Sequence, residues 1–116
     1  MMVEGNKELV WLQTEIKTPP FSSEARLTAG YLLRKLQQGE TLEMPDVRPM
    51  PSIGRHCLEL RIPDNINQKS WRIICRIDED AIIIVGVFPK KTPKTPKKEI
   101  DLAKKRLKEY DDLINR

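Results

Sequence analysis

Val10, Leu12, Thr14 and Ile16 alternate with Trp11, Gln13, Glu15 and Lys17, the period of two that a half-buried strand imposes, and Pro19-Pro20 ends the run. A helix is predicted next. Ser22 or Ser23 supplies its N-cap, Glu24 sits in its first turn, and Ala25, Ala29, Leu32, Leu33 and Leu36 recur at helical spacing up to Gly39. Residues 40–55 carry Pro45, Pro49, Pro51 and Gly54 without a sustained period, which predicts an irregular, mainly extended loop of the kind that often serves function. Strands follow at 56–62, 71–77 and 81–88, and their short links predict an antiparallel meander. The last of them is apolar on both faces (Ile82, Ile83, Ile84, Val85, Val87), so it belongs at the centre of the sheet with the N-terminal strand beside it. Thr95-Pro96 reads as an N-cap followed by proline at the first helical position. The helix that follows has one apolar stripe, Ile100, Ala103, Leu107, Tyr110 and Ile114, with Lys104, Lys105 and Lys108 left in solvent. The expected fold class is α+β, a helix or helical hairpin on a twisted antiparallel sheet of about four strands plus a C-terminal helix.

Alternation also sorts the charged side chains of the strands. Leu58, Leu60 and Ile62 share one face, Cys57, Glu59 and Arg61 the other. In the next strand Trp71, Ile73, Cys75 and Ile77 face the core, so Arg72, Ile74 and Arg76 project oppositely. Pairing Ile77 with Ala81 across the turn would set Arg72 opposite Gly86 and Arg76 opposite Ile82, leaving open space beside an arginine. Arg61, Arg72 and Arg76 then lie on an otherwise exposed face next to Lys90 and Lys91, an arrangement whose repulsion an anion would relieve. Solvated edges and partial pairing with Glu59, Asp78 or Asp80 are the plainer reading of the same residues.

Composition narrows the chemistry. A chain of 116 residues suits one domain, taken as 1–116. No segment approaches a membrane span and the N-terminus lacks a secretion-signal layout, so a cytoplasmic protein is expected. Two cysteines, predicted on opposite faces, cannot build a disulfide framework, and one histidine argues against a metal site. Residues 1–88 hold 11 basic and 12 acidic side chains, whereas residues 89–116 hold 10 and 5, and Lys90, Lys91, Lys94, Lys97 and Lys98 form a density that suits polyphosphate.

Glu59-Leu60-Arg61, Trp71-Arg72-Ile73, Arg76-Ile77-Asp78, Phe88-Pro89-Lys90-Lys91 and Lys94-Thr95-Pro96, with the loop from Arg48 to Gly54, occur in an order and spacing that resembles the phage-derived HigB-like branch of the RelE/ParE toxin superfamily. The resemblance runs from the first strand through the last helix. It implies a toxin neutralised by a cognate antitoxin, often a HigA-like helix-turn-helix protein. RelE-like members cut mRNA in the ribosomal decoding site without metal or cofactor, the RNA 2′-hydroxyl attacking its own phosphate. On matching positions it implies Arg61, Arg72, Arg76, Lys90 and Lys91 as catalytic cations, and Lys94, Lys97 and Lys98 as RNA contacts. Glu59 stands where RelE has a basic residue, Cys75 where relatives commonly have tyrosine, and RelE's late tyrosine or histidine acid/base has no equivalent near Lys91. The proton acceptor therefore stays open between His56 and a lysine of depressed pKa.

The same superfamily includes ParE-like inhibitors of gyrase, so fold alone leaves the target open. The order helix, three strands, helix, with Lys97-Lys98 opening the last helix, also looks like a double-stranded-RNA-binding domain, a non-enzymatic alternative that leaves one sheet face unused.

Overall fold

The computed structural model describes residues 6–12, 21–90 and 93–115. Its elements are β1 (Glu8–Trp11), α1 (Ser23–Gln37), β2 (Val47–Pro49), β3 (Cys57–Asp64), β4 (Lys69–Ile77), β5 (Ala81–Pro89) and α2 (Lys97–Ile114), and the five strands form one sheet in the order β1-β5-β4-β3-β2. Each face of this sheet carries a helix. Ala25, Ala29, Leu32, Leu33 and Leu36 of α1 pack on Leu60, Ile62, Trp71, Ile73, Cys75, Ile82 and Ile84. On the opposite face Ala103 and Leu107 of α2 meet Cys57, Ile74, Ile83, Val85 and Phe88. The two cysteines thus belong to opposite layers, as alternation predicts.

The helix termini follow local chemistry. Ser22 Oγ accepts the Ala25 N–H at 3.1 Å, and Gly39, at φ +80°, takes the left-handed turn after α1 that side chains resist. At the far end of the core, buried Asp64 accepts from the backbone of Ser22 and Asn67, from Asn67 Nδ2 and from Trp71 Nε1, tying the start of α1 to the β3–β4 turn. Burial opposes its charge, but the donors of Ser22, Trp71 and Asn67 prevail and hold the carboxyl well below the usual carboxylate range.

Four features depart from expectation. The sheet has five strands because Val47 reaches the α1 core and draws Val47–Pro49 out of the expected loop into an edge strand, the one place where Pro49 needs no ladder donor. β1 pairs with β5 in parallel, Glu8 opposite Ala81 through Trp11 opposite Ile84, since alternation specifies faces and not direction. That strand also ends at Trp11; Thr14, Ile16 and Pro19-Pro20 fall outside the described residues. In the β4–β5 hairpin Ile77 faces Ile82, and an extra residue at Val85 shifts the register so that Ile74 faces Gly86 and Arg72 faces Phe88. No described helix is long and apolar enough to cross a membrane.

Candidate functional site

Cross-strand pairing assembles a row of charge on the α2 side of the sheet. Arg48 of β2 is opposite Glu59 of β3, Arg61 is opposite Arg72 of β4, and Lys90 leaves β5 two residues beyond Phe88, the partner of Arg72. The expected exposed face is absent, because α2 buries its own apolar stripe there and the segment before it crosses Glu59. Arg72 is 5% exposed and Glu59 2%. Arg72 Nε lies 3.4 Å from Glu59 Oε1, while its Nη1 donates to Ser70 Oγ at 2.7 Å and to the Trp71 carbonyl at 3.1 Å. Thr95, expected as an N-cap, instead donates its hydroxyl to Glu59 Oε2, and α2 begins at Lys97 with no side-chain cap. The Lys90 N–H donates to the Ser70 carbonyl, which anchors the exit of β5 beside Arg72.

Electrostatics at this corner favour an anion. Repulsion from Arg72 lowers the Lys90 ammonium, aided by burial, Arg61 and Arg48, while Glu59 acts in the opposite sense. Burial lowers Arg72 as well, with Arg61 adding repulsion and Glu59 countering it. Arg61 is half-buried, and its Nε is enclosed without any hydrogen-bond acceptor, the sole such side-chain atom among the described residues. Unpaired buried donors are uncommon and call for an explanation.

Not every predicted residue joins this corner. Arg76 lies four positions along β4 from Arg72, about 13 Å away at the strand rise. Its guanidinium is bracketed by Asp111 of α2, at 2.7 and 2.9 Å, and Asp78, at 2.7 and 3.0 Å, and the hydrogen bonds of Asp111 and then Asp78 raise its already high pKa. Arg76 therefore clamps α2 onto the sheet. His56 is at the same remote end, exposed, at φ 61°, its carbonyl accepting the Ile77 N–H, and it lines a cavity of about 700 Å³ together with Arg76. Lys97 and Lys98 are exposed in the first turn of α2, Lys97 paired with Asp101 at 3.0 Å. Lys94 lines a narrow crevice with Arg72, Lys90 and Thr95, and Lys91 falls outside the described residues. Burial raises both thiols, Cys75 up to about 12, which suits packing and not nucleophilic attack.

Three side chains have roles that periodicity does not announce. Arg48 reads in the sequence only as the start of the loop included in the toxin resemblance, in an aperiodic stretch that shows no strand. Thr95 reads as an N-cap but bonds Glu59. Arg106 of α2 donates to the Val85 carbonyl at 2.8 Å, so the space over Gly86 expected to lie beside Arg72 is occupied by this α2 arginine, within 3.7 Å of where a Cβ would stand.

A helix on each face of a mixed five-stranded sheet defines an α+β protein, with cationic side chains gathered at one corner around the buried Glu59. The chain belongs to the family described as phage derived protein Gp49-like (DUF891), whose model matches residues 19–108, a family associated with RelE-like toxins. No curated protein matches it.

Proposed function

We propose that this chain is a HigB-type toxin of a toxin–antitoxin pair, and that it cleaves mRNA on the ribosome by metal-free transesterification. The observation that carries the reading is the corner itself, where Arg48, Arg61, Arg72 and Lys90 gather around Glu59 and a buried Arg61 donor has no acceptor. In the reaction the RNA 2′-oxygen bonds to the adjacent phosphorus, the bond to the 5′-oxygen breaks as that oxygen takes a proton from water, and the products are a 2′,3′-cyclic phosphate and a 5′-hydroxyl. Arg61 stabilises charge on the phosphorane oxygens; a preorganised donor in a shielded site contributes ~3 to 4 kcal/mol. Lys90, biased toward its neutral form by the neighbouring guanidiniums, takes the 2′-hydroxyl proton. Arg72, engaged by Glu59 and Ser70, positions these groups without gripping RNA. Lys94, Lys97 and Lys98, with Lys91, hold the RNA backbone. His56 and Arg76, at the remote end, have no part in the chemistry.

The partners are the ribosome with its mRNA and a HigA-like antitoxin, sought in the product of the adjacent gene. Expression in bacteria with and without that gene, followed by mapping of mRNA 5′ ends, tests the reading. Cuts inside translated codons that vanish with Arg61→Ala and with the adjacent gene are the expected result. Intact transcripts with DNA breaks would identify a gyrase inhibitor. RNA binding lost only on changing Lys97 and Lys98 to alanine, with no cleavage, would identify a double-stranded-RNA-binding module.

A further inference from the structure

We infer that Arg48, Arg61 and Lys90 form a phosphate-binding corner in which Arg48, on the edge strand β2, is the outermost contact. The inference deepens the proposed function by assigning a residue of the same site, and it rests on that reading only for the identity of the phosphate as an RNA phosphodiester.

The pairing geometry brings the groups within reach of one anion. Val47 enters the α1 layer, so Arg48 faces the other side, where its cross-strand partner is Glu59. Arg61, two residues from Glu59 on that side, is the diagonal neighbour of Arg48, and diagonal pairs lie within about 7–8 Å, a span that two guanidinium forks close on a single phosphate. Lys90 approaches from beyond β5, near enough for Arg48 and Arg61 both to act on its charge. The carboxylate opposite Arg48 is already committed, since Glu59 is buried between Arg72 and Thr95. Arg48 is exposed and forms no ion pair among the described residues. Arg61 carries an enclosed Nε without an acceptor, and such an unmade bond costs roughly 1–3 kcal/mol. Rotation of its partly buried guanidinium toward an anion held by Arg48 and Lys90 relieves that cost. Three cationic side chains from different parts of the chain thus converge where the local acid is spent.

Titration of the ¹⁵N-labelled protein with inorganic phosphate, followed through the arginine Nε–Hε resonances, tests the assignment. Phosphate should shift the Arg48 and Arg61 signals together, Arg48→Ala should weaken phosphate binding roughly tenfold, the loss of one charge-assisted contact, and Arg55→Ala, an exposed arginine at the remote end, should leave it unchanged. Unchanged thermal unfolding of Arg48→Ala keeps the comparison free of misfolding. Affinity unaffected by Arg48→Ala but lost with Arg61→Ala overturns the role of Arg48 and leaves the RNA-cleavage reading intact. No movement of either resonance overturns the corner as an anion site. Phosphate binding at both arginines in a protein that cuts no mRNA supports the site while rejecting the proposed activity.

Discussion

Glu59 is the residue around which the cations organise. Buried beside Arg72 and bonded to Thr95, it converts what alternation presents as a set of exposed arginines into a layered arrangement: an inner guanidinium engaged by Glu59, Ser70 and the Trp71 carbonyl, and an outer group. Lys90 belongs to the outer group. If its neutral amine is the base, Lys90→Arg keeps the positive charge but cannot release a proton at accessible pH. Cleavage by that variant should fall roughly 100-fold or more while phosphate binding persists, and single-turnover rates compared with equilibrium binding check this. The wild-type rate should rise with pH through a midpoint below 10.5, the ordinary lysine value, because Arg72 and Arg61 favour loss of its proton. At this scale the sequence was partly legible. Alternation sent Arg61 and Arg72 to one face, but nothing near Arg76 announced that Asp111, 35 residues later, would bracket it.

Elements set the next level. α2 is held by its apolar stripe, by Arg106 on the Val85 carbonyl and by the Arg76–Asp111 bridge, whose partners are 17% and 39% exposed. Partial exposure limits such a bridge, so a double-mutant cycle on Arg76→Ala and Asp111→Asn should return a coupling of about 1 kcal/mol in chemical denaturation, with phosphate binding unchanged. Asp64 ties α1 to the β3–β4 turn. Its folded-state pKa is depressed, so its contribution is complete above the unfolded value of about 3.9 and is lost as pH falls below that toward the folded value. Asp64→Asn should lower the melting temperature at neutral pH and flatten the loss of stability below about pH 4, measured by thermal scans across pH. Both helices and the meander were readable from periodicity. Strand direction, the bulge at Val85 and the face taken by α2 were not, because each depends on pairing between distant segments: a one-residue insertion reverses alternation, and an apolar stripe does not name the surface it will cover.

Over the whole molecule, charge is divided. Lys90 and Lys94 lie beside Arg72 at the corner, while at the remote end Arg76 is paired with Asp78 and Asp111. Membership of the Gp49-like family places the chain in a toxin-associated context. In the proposed activity RNA is broken at the corner by its own 2′-hydroxyl under the control of cationic side chains. The most direct measurement is the chemistry of the termini left on mRNA by the purified protein with ribosomes. The expected result is 5′-hydroxyl ends facing 2′,3′-cyclic phosphates or the 3′-phosphates they hydrolyse to, absent with Arg61→Ala. Cut transcripts bearing 5′-phosphate and 3′-hydroxyl ends, or transcripts left whole, would contradict it.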